Sequence, residues 1–458
     1  MSGKTLRSSL TLVLSAMILA GCANYSGLDT QGKSLDAKSL KVVQSLTGVT
    51  LSPAAWPKSD WWTSLGDPQL DGLIREALHD SPDMQIAEAR AHQASAAAYA
   101  ADAERYPTLD ASAGISRSRL AKDQDPRGQG DAYATVRNVS AGFNYNFDLW
   151  GGQRDAWEAA LGQARAAEVD QQAAQLTLSA DVARAYSDLG QAHIVHDLSA
   201  EDLKRTRQML ELSQRRLSSG IDSQYQFQQT QSLEASSEAS LIDAEKRLNS
   251  AKIALAVLLG KGPDRGNEIA RPKVLQASAV AVPSVLPAEL LGRRPDLVAA
   301  RWRVEAASKD IDSAKTRFYP NLNLSASAGA ESLLGDAMFG SASRFFNIAP
   351  TISVPIFDGG RLRANLDARD ADYDLAVAQY NKSLVKALGD VSDTINQLRD
   401  IGRQIGAQQH ATDIAQDSYN TVVQRYGSGI GNYLDVLSIE QQLLQAQRQL
   451  ANLNAEQI

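Results

Sequence analysis

The sequence predicts an internally duplicated α+β membrane protein, with a wall of β-strands and long α-helical hairpins running from it. Three observations carry that prediction. Paired proline motifs recur at equal spacing in the two halves of the 458-residue chain. Segments that alternate polar and apolar residues follow each second proline, and heptad-patterned helices follow the strands. Composition sets the bounds. Aromatic residues make up 6% of a chain that is 43% hydrophobic, which favours thin, closely packed helices over a bulky globule. A formal charge of −7 argues against nucleic-acid binding, which needs clustered Lys and Arg. The single cysteine excludes an internal disulfide framework and any multi-cysteine metal site. No apolar run reaches the ~18–20 residues of a membrane-spanning helix.

The first segment is an address. Lys4 and Arg7 precede an apolar stretch from Leu10 to Gly21, the layout of a secretory signal. Its end, Leu19-Ala20-Gly21-Cys22, places the only cysteine where a lipoprotein signal would be cut and the thiol acylated. Ala23, not aspartate, follows. Removal of residues 1–21 takes two positive charges and moves the net charge from −7 to −9. Residues 22–55 are weakly patterned and read as a lipid-anchored tether.

Two copies of one unit follow. Ser81-Pro82-Asp83 matches Arg294-Pro295-Asp296, and Tyr106-Pro107 matches Tyr319-Pro320, with 25 residues between the prolines in each copy. Proline suits the first turn of a helix and disfavours helix in the residue before it, so each pair brackets one helix. Residues 109–116 and 321–328 then alternate, as do 139–148 and their counterpart 348–358. Such alternation puts one residue set on each face, and a ten-residue strand with one apolar and one small-polar face suits a membrane barrel with a wet lumen. Glycine pairs at Gly151-Gly152 and Gly359-Gly360 allow the sharp turn into helices over 153–217 and 361–426. Gly190, Gly389, Gly402 and Gly406 suggest interruptions midway along them. Leu384, Leu388, Val391, Ile395 and Leu398 step by 4, 3, 4, 3, a coiled-coil seam that recurs in the return helices.

Each long helix meets its return helix at a short break, Ser219-Gly220-Ile221 and Ser428-Gly429-Ile430. A left-handed glycine would end one helix and let the chain double back. The isoleucine beside it marks a candidate contact point. Four strands cannot close a barrel that holds a lumen, and open edges are not tolerated in lipid, so chains must pool strands. Three give twelve and two give eight, both within the known range.

Enzyme chemistry finds no foothold. His193 and His196 have helical i, i+3 spacing but no third ligand, and read as a solvated helix face. Gly260-Lys261-Gly262 lacks the spacing and hydroxyl of a phosphate-binding loop. Carboxylates are scattered along helices, where a charge marks a solvated face. Neither a catalytic residue, a metal site nor a cofactor is expected beyond a lipid on Cys22.

The order of lipobox, Trp61-Trp62 with Asp67-Pro68-Gln69-Leu70, Arg293-Arg294-Pro295-Asp296-Leu297, and Tyr426-Gly427-Ser428-Gly429-Ile430 before Tyr433-Leu434-Asp435 resembles the TolC-like outer membrane factor family. It is most similar to the lipoprotein branch of the NodT and OprM type that serves resistance–nodulation–division pumps. The resemblance implies a homotrimer: a twelve-stranded outer-membrane β-barrel, four strands per chain, continued by a periplasmic α-helical barrel. It implies a passive exit duct of a tripartite efflux pump, partnered by a periplasmic adaptor, an inner-membrane pump and outer-membrane lipid. It places adaptor docking at Ser219, Gly220, Ile221, Ser428, Gly429 and Ile430. It places the periplasmic gate at Tyr426, Asp435 and Gln226, where three symmetry-related Asp435 carboxylates would raise one another's pKa. Two departures stand out. Gly431 replaces the family's arginine, and Gln226 replaces the aspartate that partners the tyrosine, so the charge-assisted link is expected to be missing. The domain reading is a signal over 1–21, tether 22–55, first repeat 56–272, linker 273–287 and second repeat 288–458. The second repeat ends about three helical turns short of the first. The same fold could serve protein secretion, and a periplasmic coiled-coil adaptor lipoprotein would share the anchor and heptads but not the four strands.

Overall fold

The structure, a computed structural model, describes residues 24–36, 51–52, 60–119, 133–273, 282–283, 293–333 and 338–457. The leader, Cys22 and most of the 273–287 linker lie outside the described residues. The helices are α1 (Pro68–Asp80), α2 (Pro82–Ala103), α3 (Gly152–Ser218), α4 (Gln224–Leu258), α5 (Pro295–Thr316), α6 (Arg361–Gly427) and α7 (Tyr433–Glu456). The strands of the main sheet are β1 (Thr108–Arg119), β2 (Tyr133–Phe147), β3 (Asn321–Leu333) and β4 (Arg344–Ser353), and Leu51–Ser52 pairs in parallel with Val282–Pro283 in a separate two-residue ladder. Proline opens α1, α2 and α5, where its missing N–H costs nothing.

The chain divides into two compact units. The first holds residues 1–35, 90–169 and 296–383, and contains the sheet. β1, β2, β3 and β4 pair in that order, all antiparallel, each copy giving one hairpin and β2 joining β3. The register aligns the two faces across all four strands. Leu109, Phe143, Ala326 and Ile348 form one row, while Ser112, Ser140, Gly329 and Phe345 form another on the opposite face. The apolar face is open, with Leu109, Ile115, Phe346 and Ile352 each more than two-thirds exposed. The other face is mainly serine, asparagine, glycine and threonine, interspersed with Asp110, Val136, Glu331 and Phe345, and Ser112 and Ser140 are hydrogen-bonded across it at 3.0 Å. A side chain at Gly329 would reach within 2.8 Å of the Ser140 backbone, which explains the absence of one there. β4 ends at Ser353, five residues before Asp358, whereas β2 runs to Phe147 beside Asp148. The turn carboxylates still do equivalent work. Asp148 accepts from the N–H groups of Gln153 and Arg154, and Asp358 from those of Gly360 and Leu362, satisfying free donors at the starts of α3 and α6.

In the same unit, residues 24–35 depart from a loose tether. Asp374 accepts from the backbone of Gln31 and Gly32 at 2.9 and 2.6 Å, and Asn381 exchanges hydrogen bonds with Leu35 and Lys33. The Arg363 guanidinium donates to the carbonyls of Asn24 and Ser26. Tyr25 packs edge-on against Phe318, beside the core of Ile311, Ala314, Leu362 and Leu366. Ala306 of α5 lies 3.0 Å from where a side chain at Gly162 of α3 would begin, so small residues set that helix spacing.

The second unit holds residues 36–89, 170–295 and 384–458. Its core joins Trp62, Leu70, Ile74, Leu178, Val182, Tyr186, Leu189, Leu255 and Leu259. The Asp67-Pro68-Gln69-Leu70 motif acquires a structural role here. Asp67 caps α1 by accepting from Gln69 N, and its second oxygen accepts from the Tyr186 hydroxyl at 2.8 Å. Burial, reinforced by that carboxylate, pushes the Tyr186 phenol far above its ordinary range. The expected mid-helix breaks are absent: α3 and α6 are each 67 residues of uninterrupted helix through Gly190, Gly389, Gly402 and Gly406. The seam residues Leu384, Leu388, Val436 and Leu443 are buried, whereas Leu398 is exposed.

Candidate functional site

The two hairpin turns of the second unit are built alike. Gly220 and Gly429 take φ of +72° and +79°, where a side chain strains the backbone. At the first turn, Gly220 N donates to Leu217 O and Ile221 N to Arg216 O. Gly429 N and Ile430 N make the same pair of bonds to Tyr426 O and Arg425 O, so both helices end in a Schellman motif. The return helices start from side-chain caps. Ser223 and Gln226 close a capping box on α4, and Asn432 accepts from Leu434 N on α7. Ser219 and Ser428 turn their hydroxyls back to the carbonyls of Arg215 and Gln424. Ile221 and Ile430 are left 63% and 76% exposed, each one helical turn from an exposed apolar residue, Tyr225 and Leu434. Each turn therefore presents an apolar pair.

Tyr426 does not use Gln226, the position to which the family resemblance points. Gln226 Oε1 instead accepts from Ser223 N and closes its cap. The charge-assisted partner is Asp222, which the turn itself supplies: the Tyr426 hydroxyl donates to Asp222 Oδ2 at 2.9 Å. Arg216 Nε donates to Asp222 Oδ1 at 3.0 Å, Arg216 Nη1 donates to Tyr426 O at 3.2 Å, and its guanidinium lies 4.4 Å from the centre of the Tyr426 ring. The expected loss of the charged link is thus overturned. Tyr433 stands 5.8 Å from Tyr426 between ring centres and accepts from Thr230 at 2.7 Å. Burial, then Asp222, raises the Tyr426 phenol well beyond its usual range, so it stays a donor. At Gly431 a side chain would begin 2.7 Å from Tyr426 N, so the tightness of this turn rules out the arginine of the family pattern. Asp435 is exposed in the first turn of α7.

A second polar cluster was not visible in the sequence. Glu440 on α7 is 4% exposed, and its Oε1 lies 3.5 Å from Arg205 Nε on α3. Arg205 Nη2 lies 3.6 Å from Asp202, and the guanidinium faces the Tyr419 ring of α6 at 5.7 Å. Both Glu440 oxygens and the Arg205 Nε and Nη2 nitrogens are buried without a hydrogen bond. Burial, then the Asp202 charge, pushes the Glu440 carboxyl from 4.5 up to about 7, with Arg205 opposing. Burial and Glu440 together raise Tyr419 to about 12. The folded protein therefore keeps a proton between pH 4.5 and about 7 that the unfolded chain has lost, and stability falls as pH rises through that window. The shift corresponds to roughly 3 kcal/mol. The purified protein should melt at lower temperature at pH 8 than at pH 5.5, and Glu440→Gln should flatten that difference. An unchanged pH slope in the variant would refute the assignment.

His193 and His196 are brought together with no third ligand: among the described residues no cluster of three potential metal ligands exists. His193 Nε2 is buried without a partner, so that face is less solvated than its pattern implied. His196 approaches Asp197, which also pairs with Arg271 at 2.6 Å. Between α3, α4 and α7 lies an open recess of about 390 Å³ lined by Ser199, Ser236, Ser240, Asp243, Arg247 and Arg448.

Comparison with known proteins places these features. The family model described as "Outer membrane efflux protein" matches residues 73–261 and 286–458, one match per repeat. The chain is similar to the "Fusaric acid resistance protein FusA" of Burkholderia cepacia, 34% identical over 371 residues, covering 79% of this chain and 69% of that protein. It is equally similar to the "Solvent efflux pump outer membrane protein SrpC" of Pseudomonas putida, 34% identical over 396 residues, covering 86% and 83%. Among solved structures, the outer membrane protein VceC from Vibrio cholerae superposes with a TM-score of 0.82 at 34% identity, over 88% of this chain and 96% of that one.

Proposed function

This chain belongs to the outer membrane efflux protein family, and on that premise we propose how it works as the outer-membrane exit duct of a tripartite efflux pump. The observation that carries the reading is the four-stranded sheet, apolar on one face and polar on the other, in a chain with two matching helical hairpins. An open sheet cannot sit in lipid, so three chains close twelve strands with the apolar face outward. The lumen is then lined by short polar side chains such as Ser140, Asn144, Ser325 and Asn347, which wet the wall without holding cargo. Transport is passive and no bond is made or broken. Relatives named for fusaric acid resistance and solvent efflux support small organic molecules as cargo.

In this reading Cys22 carries the lipid, and the strap at residues 24–35, pinned to Arg363 and Asp374, holds that end of the chain against α6. The hairpin turns dock a periplasmic adaptor through Ile221 and Ile430. The Tyr426–Asp222–Arg216 link holds the two hairpins together in the resting duct, with Asp435 at the constriction. The decisive experiment is planar-bilayer conductance of the purified protein, with drug susceptibility of a strain lacking it. A heat-modifiable trimer in the outer-membrane fraction, discrete channels and a sensitised strain are expected. A monomer confined to the inner membrane would overturn the reading.

A further inference from the structure

The Tyr426–Asp222–Arg216 link has a second cluster behind it, built from the same two hairpins. Seven residues separate Tyr426 from Tyr419 on α6, and seven separate Tyr433 from Glu440 on α7, about 10 Å along each helix. Eleven residues separate Arg216 from Arg205 on α3, about 16 Å. All three steps lead away from the turns. Glu440, Arg205 and Tyr419 therefore meet two to three helical turns deeper, where both helices of the second hairpin face α3 of the first. Tyr433 lies between the clusters, since the charges of Glu440 and Asp222 both act on its phenol.

The charges of this second cluster do not balance. The Glu440, Asp202 and Arg205 side chains are only 5%, 7% and 12% exposed, so all three are withdrawn from bulk water. Two carboxylates share one guanidinium, at 3.5 and 3.6 Å. With Glu440 ionised, one negative charge is left over in a buried seam, which is costly. With Glu440 protonated, the cluster is neutral. The other groups that bear on it supply no second cation. Tyr419 of α6 and Tyr433 of α7 present phenols, and Glu201 of α3, paired with Lys204, adds negative charge near Tyr419. On α4, Glu234 and Glu238 are held by Arg207. Burial, then the Asp202 charge, brings the Glu440 carboxyl up to about 7, so both of its forms are populated near neutral pH.

We propose that Glu440 is a positioning residue of the gate, a protonated clamp between α7 and α3 whose ionisation frees the second hairpin to open. The inference rests on the duct reading above, in which the Tyr426 link restrains the resting state. While Glu440 is protonated, Arg205 answers Asp202 and α7 stays packed behind that link. When the proton passes to solvent, the surplus negative charge is relieved by moving Glu440 toward water. That movement lifts α7 from α3 and carries Tyr433 with it. A solvated Glu440 returns to its ordinary carboxylate range in the open state. Rising pH therefore favours opening from 4.5 until about 7, and no further.

The test is single-channel recording of the full-length protein in planar bilayers between about pH 5 and pH 8.5. The open-to-closed ratio of the wild type should rise roughly tenfold or more from pH 5 to pH 7 and level off above that. Glu440→Gln, which is always neutral, should stay mostly closed and show no slope. Asp202→Asn leaves Arg205 to Glu440 alone, so its plateau should be reached at lower pH. Asp435→Asn removes the exposed carboxylate of the constriction and, whatever it does to conductance, should keep the plateau of the wild type. If Glu440→Gln fails to assemble, the Asp202→Asn shift carries the test. Hydrogen exchange at residues 433–443 of the wild type, corrected for its intrinsic pH dependence, should also accelerate over the same window. A wild-type ratio or exchange rate that ignores pH, a full slope in Glu440→Gln, or an unmoved plateau in Asp202→Asn would overturn the clamp. So would loss of the slope in Asp435→Asn, which would place the titration at the constriction. A wild type that conducts without responding to pH defeats the clamp alone, whereas one that forms no channel defeats the duct reading and the clamp with it.

Discussion

Valine at Gly429 is expected to abolish export while leaving trimer assembly and membrane location intact, and valine at Gly220 to do the same. Both glycines adopt the left-handed conformation, which costs a branched residue about 1–2 kcal/mol. Neither, however, has a heavy atom within 4 Å of where a Cβ would sit. Nothing inside the chain collides with the new side chain, so the strain is the whole internal penalty, and the buried seams of α3 and α6 absorb it. What changes is the surface beside Ile221 and Ile430, the two exposed isoleucines on which the adaptor contact is proposed to rest. Drug susceptibility of a deletion strain carrying each variant reads the export defect, and heat-modifiable migration reads assembly. Asparagine at the same positions separates the causes, because it tolerates the left-handed backbone but still adds bulk. Full export by both valine variants would sink the tip assignment.

The strands were legible in the sequence because alternation is a local signal: each residue from 139 to 147 declares its face without reference to any partner. The hairpin turns were legible for the same reason, since one glycine followed by a capping residue closes one helix and opens the next. What escaped was everything that depends on two distant segments meeting. Glu440 and Arg205 sit on different helices, and taken singly each has the pattern of a solvated charge. Asp222 is hidden at the level of sequence because the family pattern points to Gln226, while the turn brings a carboxylate four residues earlier to the same phenol. The strap at residues 24–35 looked like a tether because its bonds run from its backbone to Asp374 and Asn381, leaving no side-chain period to read. The mid-helix glycines signal breaks that packing overrides. Each costs only about 1 kcal/mol in a helix interior, and packing along 67 residues outweighs that.

Alanine at Asp222 should loosen the two hairpins more than any other single change at the Tyr426 link. Its carboxylate side chain is 2% exposed and serves two donors at once, the Tyr426 hydroxyl and Arg216 Nε. Without it the Arg216 side chain, 14% exposed, keeps the Tyr426 ring and carbonyl but has no counter-ion. Breaking a buried pair in this way costs about 3–5 kcal/mol. Tyr426→Phe removes one bond to a charged acceptor and leaves the ion pair in place, about 1.5–3 kcal/mol. Asp222→Asn keeps the shape but not the charge and should fall between them. Hydrogen exchange at residues 216–222 and 426–433 should accelerate in that order, and single-channel conductance should rise with it if the link restrains the resting duct. The damage should stay local, because the core around Tyr186 and Leu255 shares no partner with Asp222. Indistinguishable exchange and conductance in Asp222→Ala and Tyr426→Phe would show that the ion pair contributes nothing beyond the phenol. In that case Arg216 would hold Tyr426 through its ring and carbonyl alone, and the charge of Asp222 would be incidental to the gate.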